Sequence, residues 1–472
     1  MKLSCVAAAA IICLVPGPAW AITITGAAQL TAALNAARGG EVFNLAPGNY
    51  GTLNIRNRAF ASAITIRSAD PSRPATFGRT QLNTVSGVNF SGVTFANPLS
   101  GATPLWTPAV QLYSSARINF SGVTVRGSMD GNAANDGHGI GVRGSTGISI
   151  SNSTFTQLNR AITLNTSQGI LVSGNTVSNV RSEGVNLAQV QNVRIIGNSF
   201  SNFHPVNGDH PDAIQAWTTG TNLPSANVVI SGNLIVGSAG ARMQGIFITD
   251  QTGNGALRYQ GVVVTNNTLV GTSWHGITIE HADGIAITGN NVITMPDPKI
   301  DRSWIRVADA TGIVNGNTAK QIVLGPGITS ANNILNTTNA TLADAAIAAW
   351  YAARKLPLPT QLAAKTGADT LDKVTATAFS IIIPTPDGDV PVNGMLFQSE
   401  PLRTTSIPDK SGTGFDQAGT LQRSLADGEA PVQDILLSAA PEPATWMQLL
   451  LGFGTLGWVV RRHRRRQAVV AG

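Results

Sequence analysis

Short runs of alternating β-branched residues recur along the chain, among them Ile148-Ser149-Ile150, Ile162-Thr163-Leu164, Ile170-Leu171-Val172 and Ile285-Ala286-Ile287, separated by Gly/Asn/Ser corners. Alternation with a period of two means one buried and one exposed face, and runs this short bury that face only by stacking on a neighbouring run. A corner phrase repeats with them nine times between Val85 and Thr318, for example as Ser91-Gly92-Val93-Thr94-Phe95, Ser121-Gly122-Val123-Thr124-Val125, Ser173-Gly174-Asn175-Thr176-Val177, Ser231-Gly232-Asn233-Leu234-Ile235 and Thr288-Gly289-Asn290-Asn291-Val292. Successive phrases lie 30, 30, 22, 23, 35, 34, 23 and 27 residues apart, which predicts a solenoid with a basic turn of 22–23 residues plus insertions. Asn is expected at these corners because it tolerates left-handed backbone and can stack in ladders.

The pattern predicts an all-β fold, a right-handed parallel β-helix with short capping helices; the Leu spacing of a leucine-rich horseshoe is missing. Leu30, Ala33, Leu34 and Ala37 have helical spacing before a Gly39 stop and predict a helix over the N-terminal end. Thr341-Leu342-Ala343-Asp344 resembles a capping box and opens a second amphipathic segment, with Ile347, Trp350 and Tyr351, expected over the C-terminal end. The expected division is a signal peptide at 1–21, the capped β-helix at 22–331, a C-terminal capping region at 332–384, a Pro/Gly/Ser/Asp-rich linker at 385–440 and a sorting tail at 441–472.

Both ends point to export. Lys2, the apolar run Leu3–Val15, Pro16-Gly17-Pro18 and Ala19-Trp20-Ala21 form a secretory leader with a small-residue cleavage site, too short in its apolar core for a spanning helix. Cys5 and Cys13 leave with it, so the exported chain has neither disulfide nor thiolate chemistry. The tail runs Pro441-Glu442-Pro443, an apolar stretch to Val460, then Arg461-Arg462-His463-Arg464-Arg465-Arg466. It resembles the PEP-CTERM sorting signal of Gram-negative bacteria; the alternative is a plain tail anchor with a basic stop. The resemblance implies transient membrane anchoring, cutting by an exosortase after Sec export, and delivery to the outer surface or extracellular matrix. The whole chain carries a net charge of +6, but Lys2 and the five tail arginines would leave with Glu442, taking basic residues from 31 to 25 and acidic ones from 25 to 24. Nucleic acid is thereby excluded as a partner.

The candidate chemistry lies on one strand of each coil. Gly139-Ile140, Ala161-Ile162, Gly184-Val185, Ala213-Ile214, Gly245-Ile246 and Gly276-Ile277 align, and just ahead of them stand His138, Arg160, Glu183, Asp212, Gln244 and His275. Coils about 4.8 Å apart would stack these six in one column. The same strands and corners add Asn186, Gln215, Asp250, Glu280 and Arg306, and insertions at Asn202–Pro211 and Gly253–Gln260 are expected to wall a groove there. The densest cluster is His204, Asp209, His210, Asp212, Gln215 and Trp217. Asp212, Glu183, His275, Asp209 and His210 are the catalytic candidates; His138, Arg160, Asn186, His204, Gln215, Trp217, Arg242, Gln244, Asp250, Glu280 and Arg306 are the substrate-binding ones. Singly, such residues cap turns; together, carboxyls, imidazoles and an aromatic surface suit acid–base work on a sugar polymer.

Two resemblances follow, the first an argument for fold more than for activity and the second bearing on this face. Gly40–Tyr50 with Ile64–Ser68 is similar to the opening of β-helix polysaccharide lyases, including the chondroitinase B and alginate lyase group. Ser182-Glu183-Gly184-Val185-Asn186, Pro211-Asp212 and Trp274-His275-Gly276 resemble the catalytic coils of polygalacturonases. The departures are Asn186 at a second acid, a single acid at 212, Gln244 on the coil where the histidine belongs, and no Arg-x-Lys. Hydrolysis needs two carboxyls about 5–9.5 Å apart, which Glu183 and Asp212 on adjacent coils could supply. Elimination from a uronate needs a base and a charge neutraliser, and apart from Lys2 no lysine precedes Lys299. No cofactor is required by this reading, although Glu183, Asp209, Asp212, Asp250 and Glu280 offer the oxygen ligands Ca²⁺ prefers. The expectation is an exported glycoside hydrolase acting on an envelope or matrix polysaccharide, with a lyase or C5-epimerase and a non-catalytic glycan-binding adhesion or matrix protein as alternatives.

Overall fold

The computed structural model describes residues 21–101, 103–206, 209, 211–237, 243–251, 255–296, 303–336 and 340–358, with the backbone of 374–383 and 390–399. Three parallel strands per coil stack into a parallel β-helix. The first stack contains Pro108–Tyr113, His138–Arg143, Ile162–Asn165, Val185–Ala188, Asp212–Trp217 and Gln244–Ile248, then the first halves of Trp274–Thr288 and Ser303–Asn315. The second contains Ala116–Ser121, Thr146–Ser151, Gln168–Ser173, Gln191–Ile196 and Ala226–Ser231. The third is an 11-stranded sheet that includes Thr124–Arg126, Thr154–Leu158 and Thr176–Val180.

Each residue of the corner phrase has its own task. The second sits in left-handed backbone, as Gly92, Gly122, Gly174, Gly197, Gly232, Gly289 and Gly316 or as Asn152 and Asn266, with φ between 49° and 64°. The third points inward: Asn175, Asn198, Asn233, Asn267, Asn290 and Asn317 form a buried ladder that ends on half-buried Asn333. Each Nδ2 donates to a main-chain carbonyl and to the Oδ1 of the next asparagine, and each Oδ1 also accepts the main-chain N–H of the asparagine before it, or, for Asn175, of Ser153. On another corner the main-chain N–H groups of Val85, Ser115 and Ser145 donate to the hydroxyls of Ser115, Ser145 and Ser167. The ladders satisfy corner groups that no strand can pair. Between them lies one continuous aliphatic core, with an aromatic stack near its N-terminal end in which Phe90 and Phe120 lie 5.2 Å apart.

Helix α1 (Ala27–Ala36) adds Leu30 and Leu34 to that core as expected of an N-terminal cap, and Arg58 donates to the carbonyls of Asn35 and Ala37 at its last turn. Helix α2 (Ala340–Ala353) is the second predicted helix, but it does not lie over the last coil. Ala343 and Ala346 pack on Val270 and Ile293 of the third stack, and Trp350 Nε1 donates to the carbonyl of Gly232, far back along the coils. Arg354 stacks on the Trp350 ring at 4.1 Å and donates to the same carbonyl. Ile334 and Leu335, in the last strand of the third stack, are exposed. Strand Val390–Ser399 pairs antiparallel with Val374–Ile383, so the segment read as a linker from 385 contains regular structure near its start. Residues 1–20 of the expected leader and the sorting tail lie outside the described residues, and among those described no helix is long and apolar enough to cross a membrane.

Candidate functional site

The first stack lines up as the sequence implied. Main-chain bonds run from Gly139 N to Arg160 O (2.8 Å), Ala161 N to Glu183 O (3.1 Å) and Gly184 N to Asp212 O (3.0 Å), so these residues follow one another on adjacent coils. Asp212 then pairs in register with Gln244, and the Ile246–Ile277 pairing brings His275 next. Ile140, Ile162, Val185, Ile214, Ile246, Ile277 and Ile305 point into the core. The residues that follow them, Gly141, Thr163, Asn186, Gln215, Phe247, Thr278 and Arg306, therefore face outward beside the column. Gly184 and Gly245 are needed in this row because a Cβ there would lie 2.5 Å and 2.2 Å from the next coil's carbonyl oxygen.

The column is closely paired. Arg160 forms an ion pair with Glu183, whose other partner is the Ser182 hydroxyl, donating at 2.7 Å. Asn186 Nδ2 donates to Gln215 Oε1 at 2.8 Å, and Gln215 Nε2 donates to Asp212 Oδ2 at 3.0 Å, a chain of amides ending on the carboxyl. Glu183 is 4% exposed and Asp212 0%, so both acids are more enclosed than an open column suggests. Further along, Arg306 pairs with Glu280, which also accepts from the Thr249 hydroxyl at 3.1 Å. His275 Nδ1 lies 2.7 Å from the Thr278 hydroxyl and accepts from Trp304 Nε1 at 3.3 Å. Its ring contacts Phe247 and Trp304 edge to face at 4.8 and 5.4 Å.

Other predicted residues do different work. Asp209 is held by Nε and Nη2 of Arg181, at 2.7 and 3.1 Å, and accepts Val206 N: it braces its own loop instead of facing the column. Asp250 accepts from the Thr218 hydroxyl and Leu257 N at a corner. His204 is exposed, Trp217 and Gln244 are half-buried on the face, and His210 and Arg242 lie outside the described residues. No group of three or more His, Cys, Asp or Glu fit to hold a metal occurs among the described residues. Trp304, Phe247 and Trp106 were missed. Extending the aligned strand one coil, to Ser303-Trp304-Ile305-Arg306, exposes the first of them.

His138 heads the column half-buried, and burial, reinforced by the charge of Arg160, pushes its imidazole pKa down to about 3 from an ordinary 6.5. Between those two pH values the unfolded chain takes up a proton that the folded chain refuses, so stability drops as pH falls through that window. His138→Gln is expected to remove this share of the acid sensitivity. Urea midpoints at neutral and at mildly acidic pH should differ less in the variant than in the wild type; equal differences would exclude His138 as the source.

A model of the family described as a right handed beta helix region matches residues 81–244 and 138–341. No curated protein matches the chain significantly in sequence. Among solved structures, the surface adhesin PfbA of Streptococcus pneumoniae is similar at 13% identity with a TM-score of 0.42, covering 65% of this chain and 86% of that one. A mannuronic acid specific family 6 polysaccharide lyase from human gut microbiota is similar at 12% identity and a TM-score of 0.41, covering 65% and 84%. The catalytic domain of a GH87 alpha-1,3-glucanase is similar at 12% and 0.36, covering 67% and 69%. These likenesses are of fold alone.

Proposed function

Since this chain belongs to the right-handed β-helix family, we propose that it is an exported, polysaccharide-active protein that lays an envelope or matrix glycan along the outer face of its first stack and hydrolyses it. The observation that carries the reading is the register of the column, which sets Glu183 and Asp212 on adjacent coils about 4.8 Å apart beside outward-facing amides and aromatic rings. In this reading Asp212, oriented by Gln215, gives its proton to the leaving glycosidic oxygen, and Glu183, oriented by Arg160 and Ser182, directs the attacking water. His275, between Thr278 and Trp304, orients the sugar next to the scissile bond. Elimination is less well supported, because Arg160 and Arg306 already answer carboxylates of the protein and are not free to neutralise a uronate.

The burial of Glu183 and Asp212 favours a second reading, a groove that holds glycan without cutting it. One experiment separates the two. The exported chain is incubated with neutral and acidic polysaccharides while reducing ends, ultraviolet-absorbing unsaturated uronates and binding are followed together. New reducing ends without unsaturation support hydrolysis, unsaturated ends mean elimination, binding without products means an adhesion or matrix role, and none of these would refute the glycan reading. Export through the leader and the exosortase-type tail is proposed on the sequence of the two ends, and intact-mass measurement of the cell-surface protein tests both cuts.

A further inference from the structure

We infer that the groove is built for a long, neutral glycan, and that it grips the chain on aromatic platforms near its two ends; this rests on the glycan reading above and names the substrate class. Electrostatics is the first argument. From Pro108 to Val307 the outward columns of the first stack carry Arg143, Arg160 and Arg306 against Glu183, Asp212 and Glu280, and no lysine. Two of the three arginines are committed to ion pairs with two of the three acids. Arg143, exposed at the corner, is the one guanidinium of these columns with no carboxylate partner among the described residues. A polyuronate brings a carboxylate on every sugar to a face that offers one uncommitted guanidinium at a corner, so most of its carboxylates give up hydration without a cationic partner among the described residues. A neutral chain loses nothing of that kind.

The second argument is the distribution of aromatic surface. Trp106, just ahead of Pro108–Tyr113, is 72% exposed, and Tyr113 at the end of that strand is 39% exposed. Toward the other end Phe247, five coils on, and Trp304, seven coils on, flank His275, with Trp217 half-buried between. Trp106 presents an open indole ring, and aromatic faces suit the apolar C–H face of a pyranose. Seven coil steps of about 4.8 Å place the two ends roughly 34 Å apart, a reach for an oligosaccharide of several units. Between them the half-buried side chains of Gln111, Asn165 and Gln244 offer neutral amide groups suited to hydroxyls.

The test titrates the exported chain, by tryptophan fluorescence and calorimetry, with neutral gluco- and manno-oligosaccharides from disaccharide to octasaccharide and with oligogalacturonates and oligomannuronates of the same lengths. The expected result is affinity for a neutral series that rises with length and is unchanged by salt. Trp106→Ala should lose roughly three- to tenfold toward the octasaccharide and little toward the disaccharide. Trp304→Phe, which keeps the ring and drops the N–H, should bind better than Trp304→Ala, and Arg143→Ala should bind like the wild type. Tighter binding of uronates, weakening as salt rises and lost in Arg143→Ala, would overturn the neutral assignment while leaving the glycan reading intact. Binding that does not grow with length would overturn the two-platform geometry. Binding of no series would overturn both readings.

Discussion

Asn267→Ala, in the middle of the buried ladder, is expected to destabilise the β-helix by about 3–6 kcal/mol. Asn267 donates to the Ile230 carbonyl and to Asn290 Oδ1, both at 2.9 Å, and its Oδ1 accepts the main-chain N–H and the Nδ2 of Asn233, also at 2.9 Å. Removing it leaves two buried donors on Asn233 and one carbonyl without partners, at about 1–3 kcal/mol for each buried polar group. The cost depends on position along the ladder. Asn333 is half-buried at its end, where water can replace what is lost, so Asn333→Ala should cost about 1 kcal/mol or less. Urea denaturation followed by far-ultraviolet circular dichroism compares the two variants. Equal losses, or a loss under about 1 kcal/mol at Asn267, would show that the ladder is incidental to stability.

The ladder also explains why the architecture was readable in the residues. From Asn175 onward each coil must place a left-handed residue and then an inward asparagine at the same corner, so the phrase Gly174-Asn175 returns as Gly197-Asn198, Gly232-Asn233 and Gly289-Asn290. The inward aliphatic positions repeat for the same reason, and with them comes the register that stacks His138, Arg160, Glu183, Asp212, Gln244 and His275. Outward positions carry no such constraint. That Arg160 would close on Glu183, Arg306 on Glu280 and Arg181 on Asp209 depends on rotamers and on insertions that differ from coil to coil. The resting place of α2 was hidden differently. Its stripe of Ala343, Ala346 and Trp350 fits any apolar surface, and its target lies where the third stack stops alternating: Thr176-Val177-Ser178 has polar outward positions, whereas Val270 and Ile293 are apolar ones. Sequence periodicity therefore located the column and left unread which of its charges remain available.

Asp212→Asn is expected to lower glycan hydrolysis by about 10²–10⁴-fold while changing oligosaccharide affinity little, because it removes a proton donor and keeps the shape of the side chain. It is the cleaner of the two acid substitutions. Glu183→Gln breaks the ion pair with Arg160, whose side chain is 27% exposed against 5% for Glu183, so any activity loss there mixes with a structural one. The double variant Arg160→Gln with Glu183→Gln removes both charges and separates the effects: fold stability should return toward the wild type, and activity should not. Gln215→Leu supplies the intermediate case, since it leaves the Asp212 carboxyl in place but takes away the 3.0 Å amide that orients it. Its turnover should fall less than that of Asp212→Asn, with thermal midpoints recorded to confirm that each variant is folded. Should folded Asp212→Asn release reducing ends at more than half the wild-type rate, proton transfer is not performed at this coil, and catalysis on this face must be abandoned in favour of glycan holding.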